Sequence, residues 1–97
     1  MKPRQCLIAR CKDLGCMLTD GGDVIRVDAP QGQRLRGTGL HGVDLYTRGW
    51  TRDAAYLEII HDLEMGLEPC DDSDCETCQD GLTFDDLLRL YPGERLA

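Results

Sequence analysis

The sequence predicts an α+β fold, with a small antiparallel sheet packed on one main helix and a short helix near the C-terminus. Three features carry this expectation. Gly21-Gly22 separates two short apolar runs, Thr51 precedes a run with apolar residues at helical spacing, and Thr83 precedes a second such run. The 97 residues make a single small domain, 1–97, whose thin core would gain from a metal or a partner.

Each element has a local reason. Residues 5–10, Q-C-L-I-A-R, are short and apolar and suit a first strand, with Cys6 alternating with Ile8. The stretch C-M-L-T-D-G-G-D-V-I-R-V-D from Cys16 suits a hairpin around Gly21-Gly22, because two-residue turns need positive φ. That register sets Leu18 opposite Ile25 and Cys16 opposite Val27 on one apolar face. Met17, Thr19, Val24 and Arg26 then share the other face. A Gly-rich loop follows at about 30–42, and residues 43–47 suit a further short strand.

Thr51 is placed to N-cap the main helix, about 52–65, and Gly66 to stop it. Tyr56, Ile59, Ile60, Leu63 and Leu67 form one apolar stripe, with Glu58, Asp62 and Glu64 facing away. An acidic cysteine loop covers about 67–82. The second helix, about 83–91, opens with Thr83 and with Asp86 in the capping-box position, and Leu82 and Leu87 span its start. Pro92-Gly93 end it.

Charge narrows the function. The formal net charge is −7, which disfavours a general binder of nucleic acid or anionic membranes. The halves differ: residues 1–52 carry nine Lys/Arg against five Asp/Glu, and residues 53–97 carry two against thirteen. Asymmetry of this kind marks an interaction surface or halves that neutralise each other on folding. No run reaches transmembrane length, and the first residues lack the apolar core of a signal peptide. The expected compartment is the cytoplasm, where thiols stay reduced.

The six cysteines fall into two triplets. Cys70, Cys75 and Cys78 lie in E-P-C-D-D-S-D-C-E-T-C-Q-D-G, with spacing C-x4-C-x2-C. Two sulfurs of a C-x2-C loop can converge on one ion, and Cys70 can fold back across four residues. Zinc takes four N or S ligands in a tetrahedron, so a fourth ligand is needed. His61, on the main helix before the loop, is the expected donor, with a cysteine of the first triplet as the other choice. The spacing resembles that of plant-type [2Fe–2S] ferredoxins over nine residues. No cysteine follows Cys78, however, and Asp71, Asp72 and Asp74 would add negative charge beside an anionic cluster. The EF-hand spacing and glycine are missing, which sets calcium aside.

Cys6, Cys11 and Cys16 have spacing C-x4-C-x4-C. Cys6 and Cys16 suit buried apolar positions. Cys11, between Arg10 and Lys12, is the one expected at the surface with a lowered pKa. Gly37-Thr38-Gly39-Leu40-His41-Gly42 matches G-x-G-x-x-G by letter but lacks the strand and helix that a dinucleotide site requires. Arg34 and Arg36 beside it could contact an anion. Only His41 and His61 offer imidazoles, and no hydrolytic triad can be assembled, so enzymatic activity is not expected.

The leading functional expectation is a small acidic intracellular protein-binding module with a structural zinc. Glu58, Asp62, Glu64, Asp71, Asp72 and Asp74 would meet a basic surface of another protein. In its specific form the module inhibits by occupying a nucleic-acid-binding surface, as antagonists from phage or mobile elements do, because carboxylates can imitate a row of phosphates. The alternatives are a thiol-based redox or iron–sulfur electron carrier, and a non-catalytic domain held by disulfides or metal for an unrelated role.

Overall fold

A computed structural model describes residues 2–71, 75 and 83–97. It shows an α+β fold. Helix α1 (Pro3–Leu14) is followed by strands β1 (Met17–Asp20), β2 (Val24–Asp28), β3 (Gln33–Leu35) and β4 (Gly42–Tyr46). Helix α2 (Arg52–Asp62), strand β5 (Leu67–Pro69), helix α3 (Phe84–Leu90) and strand β6 (Glu94–Arg95) complete the described elements. One sheet has the order β4-β2-β1-β6, and β3 pairs with β5 as a separate ribbon.

The N-terminal segment is a helix and not the expected strand. Pro3 opens it at a position where its missing N–H costs nothing, and Gln5 Oε1 accepts from the Lys2 N–H at 3.4 Å. Gly15 closes it at φ 76°, its N–H donating to carbonyls of the last turn. The decisive pattern is Leu7, Cys11 and Leu14, spaced i, i+4 and i+7. Leu7 and Cys11 are fully buried and Leu14 packs against the same core. Cys6 and Ile8 are only half-buried, so their alternation reflects the flanks of a helical stripe.

The hairpin forms one residue further along than expected. Gly21 N–H donates to Val24 O, which leaves Gly22-Asp23 as the two-residue turn, with Gly22 at φ 86°. A glycine at the first central position is the type II′ pattern. Leu18 therefore lies opposite Val27, and Asp20 opposite Ile25. The shift is by two in register, so each side chain keeps its expected face. Leu18, Ile25 and Val27 are fully buried, and Cys16 is nearly so.

Helices α1 and α2 pack on each other and on that face. Tyr56, Ile59 and Leu63 of the predicted stripe are buried, and Ile60 and Leu67 pack beside them. Thr51 Oγ1 accepts from Ala54 N–H at 3.2 Å, as the N-cap reading expects. Arg10 adds a bond from α1 to the Leu63 carbonyl at 3.3 Å. On α3, Thr83 and Asp86 form the predicted capping box, at 3.0 and 3.2 Å. Leu82 lies outside the described residues.

Residues expected as an irregular loop contain β3. Gln33, Arg34 and Leu35 pair with Pro69, Glu68 and Leu67 of β5. Leu35 is fully buried and joins the main core. This ribbon couples the middle of the chain to the start of the acidic cysteine loop.

Candidate metal centre

His41, Cys70 and Cys75 come from separate stretches, and backbone bonds bring them together. The turn after β3 folds back through Gly39 N–H to Leu35 O at 2.7 Å and Leu35 N–H to Leu40 O at 2.8 Å. Gly39 takes φ 71° there, and Thr38 Oγ1 accepts from Leu40 N–H. His41 is then held by its carbonyl, which accepts from Ala29 N–H at 2.8 Å just beyond β2. Cys70 leaves β5 with its N–H donating to Gly32 O at 2.9 Å. Both residues are thus pinned by main-chain bonds to the stretch that links β2 to β3.

Their side chains, with that of Cys75, place one ligand atom each within 4.8 Å of the others. His41 Nε2 and Cys75 Sγ are 3.1 Å apart. All three residues are half-buried. Around a tetrahedral zinc, with Zn–S of about 2.3 Å and Zn–N of about 2.0–2.1 Å, ligand atoms stand roughly 3.5–3.8 Å apart. The three groups therefore lie close enough to hold a metal ion. One imidazole and two thiolates form a donor set compatible with zinc.

The chain matches no protein-family model, no curated protein and no solved structure.

The structure unites two of the expected ligands, Cys70 and Cys75, with a histidine other than the expected one. His61 is exposed on α2, and its Nδ1 lies 3.0 Å from Glu64 Oε1. It stands outside the cluster. Its closeness to the cysteine loop in sequence counts for less than the β3–β5 pairing, which carries His41 to Cys70 across the fold. Cys78 lies outside the described residues. No local signal marks His41 as a ligand; Gly39, at φ 71°, lets the chain reverse there, but the neighbours of the imidazole come from the β3–β5 pairing.

The first triplet is not part of this site as described. Cys11 was expected at the surface with a lowered pKa, and the structure reverses both points. Its residue is fully buried, and burial pushes the thiol up to about 12, with Cys16 adding to the rise. Basic neighbours in sequence do not help, because α1 turns Arg10 toward Leu63 and leaves Lys12 exposed. Cys16 is pushed up to about 11, chiefly by burial and then by Asp28.

The remaining predicted groups divide. Glu58 and Glu64 are exposed on or just after α2, and Asp62 is half-buried. Burial, then Glu58, raises the Asp62 pKa. Asp71 is exposed, while Asp72 and Asp74 lie outside the described residues. Arg34 is turned onto Glu68 at 2.8 Å across the β3–β5 ribbon, and Arg36 onto the Leu67 carbonyl at 3.3 Å. The expected anion contacts thus serve the ribbon in the described structure. No described helix is long and apolar enough to cross a membrane.

Proposed function

We propose that this chain is a small protein-binding module whose acidic loop is tied down by one zinc ion. The observation that supports it is the convergence of His41, Cys70 and Cys75. An ion there neutralises two thiolates in a segment crowded with carboxylates, and it fixes the start of the acidic loop against the β3–β5 ribbon. Cys78, three residues beyond Cys75, is by spacing the fourth ligand.

The acidic groups Glu58, Asp62, Glu64 and Asp71, with Asp72 and Asp74, form the surface offered to a basic partner protein. The specific role is inhibition by occupying a nucleic-acid-binding face of that partner. Carboxylates at suitable spacing engage the Lys and Arg that would otherwise contact phosphates.

Metal analysis of the purified protein, with native mass spectrometry, tests the first half. One zinc per chain is expected, lost in Cys70→Ser and Cys75→Ser. Iron with inorganic sulfide would overturn it in favour of an electron carrier. For the second half, a polyarginine peptide is the probe. Binding at 150 mM salt, weakened in a Glu58→Gln, Asp62→Asn, Glu64→Gln variant, is expected. Equal binding by the variant would overturn the surface assignment.

A further inference from the structure

Strand β4 is an edge of the four-stranded sheet, paired through its five residues with β2. Among the described residues no strand pairs with its outer side. An open edge of this length, with no proline or lysine to protect it, is a template for an added strand. Val43 and Leu45 turn inward, Val43 buried and Leu45 packed on the core. Gly42, Asp44 and Tyr46 alternate onto the opposite face, where Tyr46 is 70% exposed.

That face carries a second feature beside Gly42. A cleft of about 240 Å³ is lined by Arg26, Asp28, Leu40, His41, Gly42 and Leu87, among others. One wall is the Asp28 carboxylate, whose side chain is only 4% exposed and bonded to Arg26 at 2.9 Å. Arg26 reaches Asp44 at 3.5 Å as well and stacks over the Tyr91 ring at 3.9 Å. The guanidinium is therefore shared by two carboxylates, and the group Arg26, Asp28 and Asp44 keeps one negative charge in excess. Gly42 lets the Asp28 carboxylate and the Arg26 guanidinium lie against the β4 backbone, since a Cβ there would come within 2.6 Å of Asp28 Oδ1.

We propose that the outer edge of β4 receives an extended segment of a partner protein bearing a lysine or arginine. Main-chain bonds to β4 supply the pairing. The basic side chain lies across Gly42 into the cleft, toward Asp28 and Asp44, and apolar residues of the segment cover Leu45 and Tyr46. The charge excess selects the basic residue over an acidic one. This surface is distinct from the acidic face of α2, and it goes beyond the role proposed for that face.

The test uses two synthetic seven-residue peptides of alternating valine and threonine, one with a central lysine and one with a central glutamate. The lysine peptide is expected to bind about tenfold more tightly. It should also slow amide exchange at Gly42, Asp44 and Tyr46, whose N–H groups point away from β2. The Ala29–His41 and Thr47–Asp23 bonds set the ladder so that Val43 and Leu45 already pair with β2. Asp44→Asn, at a position whose side chain is 43% exposed, should remove most of the preference while edge protection persists. The triple neutral variant of Glu58, Asp62 and Glu64 should leave the protection unchanged, which separates this surface from the α2 face. Equal affinity for the two peptides, or no added protection in β4, would overturn the proposal. So would β4 protection that grows with protein concentration without peptide, which would assign the edge to a second copy of the chain.

Discussion

His41 Nε2 stands 3.1 Å from Cys75 Sγ across thirty-four residues of chain. Neither residue can reach the other through local structure. Their approach depends on the fold-back that anchors His41 to Ala29 and on the β3–β5 pairing that delivers Cys70.

The metal reading gives a sharp contrast between the two histidines. His41→Ala should weaken zinc binding by more than about a hundredfold, since loss of mere outer-shell partners already costs about 10–100-fold. His61→Ala, which removes only the exposed contact to Glu64, should leave affinity unchanged. Competition with a chromophoric chelator measures both. Equal effects of the two substitutions would count against the site.

The buried thiols should be inert. Cys11 and Cys16, with pKa values of about 12 and about 11, should resist iodoacetamide at pH 8 in the folded protein and react only on unfolding. The sign for stability follows from the same rise. Both folded values exceed the unfolded thiol's, so above about pH 9 the unfolded chain releases these protons first. Stability then falls, by up to about 1.4 kcal/mol per pH unit for each thiol until its folded pKa is reached. Mass-resolved alkylation and urea melts between pH 7 and 10 check this.

Asp20 holds the hairpin tip to α2. Its carboxylate accepts from Tyr56 Oη at 2.5 Å, from Arg52, and from the Gly22 N–H at 2.9 Å. Burial pushes its pKa up, but these bonds outweigh burial and hold it below the usual aspartate value. A carboxyl lowered on folding adds stability that is present above about pH 4 and lost as pH falls through the lower folded value. Tyr56→Phe should cost about 1–2 kcal/mol at pH 7, the scale of a lost bond to a charged group partly open to water. The difference from wild type should shrink toward pH 2 in thermal melts.

Gly42→Ala should destabilise the fold by about 1–3 kcal/mol, the usual cost of overpacking. The added Cβ would meet Asp28 Oδ1, which Arg26 pins in place, as well as the Val27 carbonyl. Chemical denaturation measures the loss. A neutral result would mean that Asp28 is free to swing away.

Much of the architecture was legible where the signal is local. The caps at Thr51 and Thr83, the α2 stripe and the strand from Gly42 to Tyr46 depend on residues within a few positions of each other. The N-terminal helix is masked in sequence because Cys6 and Ile8 alternate by chance over a short window. The longer spacing of Leu7, Cys11 and Leu14 decides the period only when the capping glycine is read with it. At the candidate site, Cys70 and Cys75 were visible as a spacing. His41 was not, since only pairing between β3 and β5, some thirty residues apart, reveals its neighbours.

The Cys70 N–H bonded to the Gly32 carbonyl closes a long span of chain through the main chain alone. A metal held at His41, Cys70 and Cys75 would therefore recognise a product of folding and, by mass action, favour chains that have completed that closure. Each tenfold rise in free ion above the dissociation constant adds about 1.4 kcal/mol to the closed state. How long a copy of this chain survives proteases would then become a gauge of the metal supplied to it.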